Sequence, residues 1–171
     1  GAAVPLTSCE NTPMTIETVR KSAACSVWGV ILLALVGQPL LAGAFTYSDF
    51  SSTSGLTLVG DASQAGNVLR LTDSTYGQAG AAWYTTPVAV GAGFTTRFQF
   101  YIHQPIGLGA DGLAFLIQTS GTGALGAGGG GIGYDGIPNS LAVEFDTWDN
   151  GFWDGYSNNH VAFHSCGTGV N

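Results

Sequence analysis

Hydrophobic and polar residues alternate in short runs along the chain from Phe45 onward, and no longer segment there carries apolar groups at helical spacing. Because alternate residues of a strand point to opposite faces, these runs predict β-strands. The predicted strands are 56–60, 67–72, 81–90, 94–102, 112–118, 139–146 and 160–164. Many short strands separated by Gly, Ser, Asp and Asn are typical of an all-β sandwich or barrel.

The predicted strand at 139–146 separates apolar side chains from acidic ones. Glu144 and Asp146 share one face, and we expect the opposite face to be the core. The apolar residues on that expected core face are Leu141, Val143 and Phe145. Two neighbouring carboxylates repel each other and each is costly to desolvate, so the pair needs a counter-charge. No lysine or arginine follows Arg97, and the pattern therefore predicts a bound metal cation.

Residues 14–44 have the pattern of a secretory signal peptide. Arg20 and Lys21 precede an apolar run at 27–36 that is shorter than the roughly twenty residues needed to cross a bilayer. An A-x-A motif follows and predicts cleavage after Ala44, with secretion or display at the cell surface. A buried helix or a membrane anchor is the alternative interpretation of this run.

This interpretation divides the chain into 1–13, upstream and without structural role, the signal peptide, and one domain at 45–171. The domain carries nine acids and two bases, a net charge of −7, which disfavours binding to nucleic acid or to an anionic membrane.

Cys166 is its one cysteine. A single cysteine in an exported protein indicates either that its disulfide partner lies beyond these residues or that its thiol is buried.

The segment 143–160 concentrates metal-ligand side chains in a chain that is only 9% charged. The candidate ligands are Glu144, Asp146, Asn150, Asp154 and His160. Carboxylate and carboxamide oxygens suit calcium, whereas a histidine among carboxylates suits manganese or another transition metal. One segment with both kinds of donor predicts two adjacent ions. His160 by itself would be interpreted as a hydrogen-bonded histidine at a strand end.

The motif VEFDTWDN, followed by Asp154 and His160, resembles the signature of the legume lectin (L-type lectin) family. FTYSDFSS, LTLVGDA, LRLTDS, GAAWYTTPV, FTTRFQF, ADGLAFLIQ and GGGGIGY also occur in the family's order and at about its spacing. The resemblance implies a concanavalin A-like fold, a two-sheet β-sandwich or jelly roll. It also leads us to expect a fragment, because the C-terminal third of a full family domain does not follow.

The resemblance assigns ligands to two ions. It implies that the transition metal, normally manganese, is bound by Glu144, Asp146, Asp154 and His160. It implies that calcium is bound by Asp146, the main-chain carbonyl of Trp148, Asn150 and Asp154. Asn150 and Asp154 are separated by one residue more than in plant members, so the calcium loop is expected to be longer.

The resemblance also implies a sugar site. Its expected contacts are Asp111, a backbone N–H at Gly130, Asn150, and Trp148 as an aromatic platform. Asp, Asn and a peptide N–H match the paired donors and acceptors of a pyranose. The family has a cis peptide before its sugar-binding Asp, here between Ala110 and Asp111. Glycans are thus the expected partners, and homo-oligomerisation is left open.

Other interpretations remain beside the lectin. Glu144, Asp146 and Asp149 in EFDTWD resemble the carboxylates of retaining glycoside hydrolases on the same scaffold. That interpretation leaves Asn150 and His160 unexplained, so we favour a binding protein and not an enzyme. A scaffold without sugar affinity, serving as an adhesive or structural surface, is the third candidate.

Three further features have simple structural interpretations. Asp111 in GADG has turn chemistry, and His164, which has no position in the motif, is expected to be structural or exposed. The glycine-rich segment 121–133 is either a linker or a surface loop whose backbone approaches a ligand. Its place between two predicted strands favours the loop.

Overall fold

The computed structural model describes residues 45–165, so the predicted signal peptide and Cys166 lie outside the described residues. The strands are β1 (Leu56–Gly60), β2 (Ser63–Ala65), β3 (Val68–Arg70), β4 (Gly80–Tyr84), β5 (Gly112–Gln118), β6 (Ser140–Asp146) and β7 (His160–Ser165). Two short 3-10 turns lie between the strands: Gly129–Gly131 between β5 and β6, and Gly151–Asp154 between β6 and β7. The all-β prediction is confirmed. Within 45–165, no helix has the length and apolar character that a membrane span requires.

The strands pair antiparallel in three small sheets: β1 with β4, β2 with β3, and β5–β6–β7. The predictions for 56–60 and 112–118 agree with β1 and β5 residue for residue. The runs predicted at 67–72 and 81–90 form shorter strands, and β2 was not predicted. A tight turn at Gly66 connects β2 to β3. Its φ of 65° is a conformation that glycine adopts without strain.

The register of β5–β6–β7 brings the acidic motif together with residues that are distant in sequence. Asp146 pairs with His160 on one side and with Gly112 on the other. Glu144 pairs with Ala114 and Ala162, so small residues flank its side chain on both neighbouring strands. The acids of β6 and the first residue of β7 therefore lie on one face of the sheet.

The alternation along β6 is confirmed, but the prediction of which face is buried is wrong. Ala142, Glu144 and Asp146 are 0%, 5% and 2% exposed, whereas Leu141 on the other face is 39% exposed. The reason is a loop that covers the acid face and contributes Tyr134 and Ile137 to the core around Ala142. Periodicity separates the two faces of a strand, but it does not say which one the rest of the chain covers.

The predicted strand at 94–102 is also wrong, because 94–102 forms no β-ladder with any described strand. A strand exists only where another strand accepts its hydrogen bonds, and none of the described strands pairs with this run. Its apolar residues still pack as a face. Phe98 stacks on Phe115 with ring centroids 5.6 Å apart, and Phe100 lies 5.0 Å from Phe145. These rings cover part of the apolar face of β5–β6–β7.

Candidate functional site

Three residues from separate parts of the chain converge at one end of the β5–β6–β7 sheet. Asp111 immediately precedes β5, Asn150 follows β6, and Gly130 lies in the first 3-10 turn. The side-chain amide of Asn150 donates to Oδ1 of Asp111 at 3.3 Å. A Cβ placed on Gly130 would lie 3.0 Å from Cγ of Asn150. The structure thus brings together the three polar sugar contacts that the resemblance implies.

The backbone at Asp111 is fixed by the segment that follows β6. The carbonyl oxygen of Asp111 accepts hydrogen bonds from the N–H of Thr147 at 2.8 Å and from its hydroxyl at 3.0 Å. The peptide bond between Ala110 and Asp111 is cis, as the resemblance implies. The hydrogen bonds from Thr147 therefore anchor the Asp111 backbone to the end of β6, and its carboxylate lies beside the Asn150 amide.

The glycine-rich segment forms a compact loop and is not a linker. Gly126 donates to the carbonyl of Gly133 at 2.8 Å, and Gly133 donates to that of Ala127 at 2.7 Å. A Cβ on Gly126 would come within 2.5 Å of the Asp135 carbonyl oxygen, so the close approach requires glycine there. These contacts hold Gly130 at the tip of the loop, against Asn150.

A second group is formed by Glu144, Asp146 and His160, which each offer a ligand atom, and the three atoms lie within 4.8 Å of one another. Nε2 of His160 is 3.3 Å from Oε1 of Glu144. The two acids are buried, and the histidine is half-buried. Three of the four predicted ligands of the transition metal are therefore assembled.

The electrostatics of this cluster favour a cation. Burial raises the pKa of Asp146, as does the neighbouring Asp154, against the lowering effect of the Trp148 N–H. Within 45–165, no lysine or arginine forms an ion pair with either buried acid. Nδ1 of His160 is also buried without a hydrogen-bond partner among these residues. A divalent ion would supply the missing counter-charge, so the donor set fits a metal.

Asp154 is the fourth predicted ligand, and it is not a member of the compact group. Its Oδ2 instead accepts the backbone N–H of Asn150. In the same manner, Oδ1 of Asp146 accepts the N–H of Trp148 at 2.6 Å. Both carboxylates therefore hold the loop that carries Asn150, and metal ligation by Asp154 stays a prediction.

Trp148 and Asp149 line a cleft beside the site. The remaining lining residues are Leu108, Thr147 and Asn158. Trp148 is half-buried, and its role as an aromatic platform stays a prediction. Asp149 is exposed and accepts the N–H of Gly151 at 2.7 Å, whereas Glu144 is buried. The three acids of the hydrolase interpretation do not share an open face.

The sequence interpretation missed two residues that contact Glu144. Tyr134 is buried and its hydroxyl donates to Oε2 of Glu144. His164 is half-buried, and its Nε2 lies 3.8 Å from the same oxygen. The period of β7 could have indicated His164, since it lies on the same face as His160. Nothing in the local pattern indicates Tyr134, because the loop brings it there.

Comparison with known proteins supports the same interpretation. The legume lectin beta-barrel domain family matches residues 46–171. A lectin alpha chain of Lablab purpureus is 33% identical over 130 residues, which cover 65% of this chain and 46% of the relative. Lectin DB58 of Vigna unguiculata subsp. cylindrica is 32% identical over 155 residues, 78% of this chain and 56% of the relative. Favin of Vicia faba is 37% identical over 100 residues. The chain spans about half the length of the curated relatives it matches.

Proposed function

The chain belongs to the legume lectin (L-type) domain family, and from this premise we propose that it binds glycans through a site organised by divalent metal ions. The observation that carries the proposal is the convergence of Asp111, Gly130 and Asn150 at one end of the sheet. Export, expected from residues 14–44, belongs to the same proposal.

Each polar group of this site has a defined part in sugar binding. The Asp111 carboxylate accepts hydrogen bonds from sugar hydroxyls, while the Asn150 amide can donate and accept. The Gly130 N–H is a further donor, because no side chain separates the backbone from the ligand. Trp148 offers an apolar ring to a hexose face. Together these groups match a neutral pyranose, and a domain with a net charge of −7 disfavours anionic glycans.

We propose that the metal site lies below the sugar site. Glu144, Asp146 and His160 hold the transition metal, normally manganese, together with Asp154. Calcium is held by Asp146, Asn150, Asp154 and the carbonyl of Trp148. The ions supply positive charge that neutralises the buried acids. Because Asp146 and Asp154 also accept the N–H groups of Trp148 and Asn150, their positions determine where the amide of Asn150 points.

The Gly130→Ala variant tests the sugar site at a single atom. Its Cβ would meet the Asn150 side chain at 3.0–3.1 Å, so the amide must move. Loss of one well-formed hydrogen bond costs about 1 kcal/mol, and we expect glycan affinity to fall about fivefold to tenfold. A glycan array followed by calorimetry with the best ligand measures this change.

Gly123→Ala is the matched control, since it lies in the same loop and its Cβ meets nothing within 4 Å. We expect it to bind glycans like the wild type. Equal affinities of the Gly130 and Gly123 variants would contradict the proposed position of the sugar. A wild-type protein that binds no glycan on the array would overturn the function itself.

Hydrolysis is tested separately. Because Glu144 and Asp146 are buried, a sugar cannot reach them as nucleophile and acid, and we expect no reducing ends to accumulate from β-glucans. The measurement compares the wild type with Glu144→Gln over a long incubation. Release by the wild type and not by the variant would support acid catalysis instead of simple binding.

A further inference from the structure

The two carboxylate oxygens of Glu144 have different surroundings. Oε1 faces the cluster, with Nε2 of His160 at 3.3 Å. Oε2 accepts the hydroxyl of Tyr134 and has Nε2 of His164 at 3.8 Å. One oxygen is therefore directed towards the proposed metal, and the other is held by residues that are not among its predicted ligands.

Tyr134 is itself held rigidly. Its side chain belongs to the core with Ile137 and Ala142, and its residue is only 7% exposed. Its N–H donates to the carbonyl of Gly131 at 2.9 Å, immediately after the 3-10 turn. Its ring lies 5.9 Å from that of His164. A phenol fixed in this way cannot follow a carboxylate that moves, so it determines where Oε2 stays.

A buried phenol needs an acceptor for its hydroxyl proton. The Tyr134 hydroxyl has this acceptor in Oε2 of Glu144.

We propose that Tyr134 is a positioning residue of the metal site: its hydroxyl fixes Oε2 of Glu144, so that the carboxylate binds the transition metal through Oε1 alone. This inference rests on the metal site of the proposed function. Partners of metal ligands orient those ligands and are a main source of metal affinity. Calcium often takes both oxygens of a carboxylate, so a fixed Oε2 also disfavours calcium at this position.

The Tyr134→Phe variant removes the hydroxyl and keeps the ring that packs in the core. We expect its affinity for Mn²⁺ to fall about 10-fold to 100-fold, the range for loss of such partners. Electron paramagnetic resonance of free Mn²⁺ during titration of metal-free protein measures this affinity directly. Tyr47→Phe is the matched control, because it removes a half-buried phenol that donates to the Ser54 carbonyl, far along the chain from the cluster. We expect that control to bind Mn²⁺ like the wild type.

A second readout separates positioning from a general loss of stability. In Tyr134→Phe, Oε2 is free to join the ion, so less Ca²⁺ should displace bound Mn²⁺ than in the wild type. Thermal unfolding in EDTA identifies the temperature at which both proteins are folded, and the titrations are made there. Wild-type Mn²⁺ affinity and Ca²⁺ competition in the folded variant would overturn the inference while leaving the metal site intact. A wild type that binds no Mn²⁺ would overturn the metal site together with the inference.

Discussion

Removal of divalent ions is expected to abolish glycan binding by the wild-type protein. Glu144 and Asp146 are 5% and 2% exposed, and within 45–165 no arginine or lysine pairs with them. Without a cation the two buried charges repel each other, and we expect the site to open. Because Asp146 holds the Trp148 N–H and Asp154 holds that of Asn150, we expect the amide proposed to bind the sugar to move with them.

The measurement is a glycan array with excess EDTA, after metal analysis has verified that the protein is metal-free. Restoring Mn²⁺ and Ca²⁺ together should recover the signal, and each ion alone should recover less because two sites are proposed. Circular dichroism shows whether the strands remain. An undiminished array signal from protein verified as metal-free would contradict the metal scheme.

Asn150→Ala is expected to lose glycan binding while the protein keeps its fold. The amide of Asn150 contacts Asp111 and lies against Gly130, and it is the group proposed to connect calcium to the sugar. Removing it eliminates hydrogen bonds worth about 1–1.5 kcal/mol each, and a weakened calcium site adds to the loss. We therefore expect glycan affinity to fall about a hundredfold. The backbone N–H that donates to Asp154 is retained in the variant.

Asn159→Ala is the control for this variant, since Asn159 contacts the Ser157 hydroxyl through its backbone N–H and carbonyl, which the variant keeps. Calorimetry with the array's best ligand compares both variants with the wild type, and thermal unfolding shows that each is folded. Glycan affinity of Asn150→Ala within twofold of the wild type would contradict the role given to this amide.

The chemistry of the site could be predicted from the sequence because it depends on residue type and period. Alternation along β6 predicts that Glu144 and Asp146 share a face, and the structure confirms it. The spacing of the motif made His160 a candidate metal ligand. Alternation along one strand does not say which residues of the next strand pair with it. The register that sets Asp146 opposite His160 depends on the β6–β7 ladder, which involves residues far apart in sequence.

The burial of β6 shows a different limit of the sequence. Hydrophobicity favoured Leu141 as core and the acids as the open face, yet the acids are buried and Leu141 is partly exposed. Burial depends on what covers a face, and here the covering residues Tyr134 and Ile137 come from the loop residues that follow the glycine-rich segment. The strand predicted at 94–102 failed for the related reason that a ladder needs a neighbouring strand.

The sequence by itself determined the all-β class, the acidic motif of β6, and its resemblance to legume lectins, since local pattern and residue chemistry suffice for each. The resemblance placed Asp111, Gly130 and Asn150 in one expected site, but only the tertiary structure shows their contacts, because these close loops between distant segments. It also decided that Tyr134 holds one oxygen of Glu144. Strand register and loop folding are set by contacts across the whole domain, and these have no signature in a local run of residues.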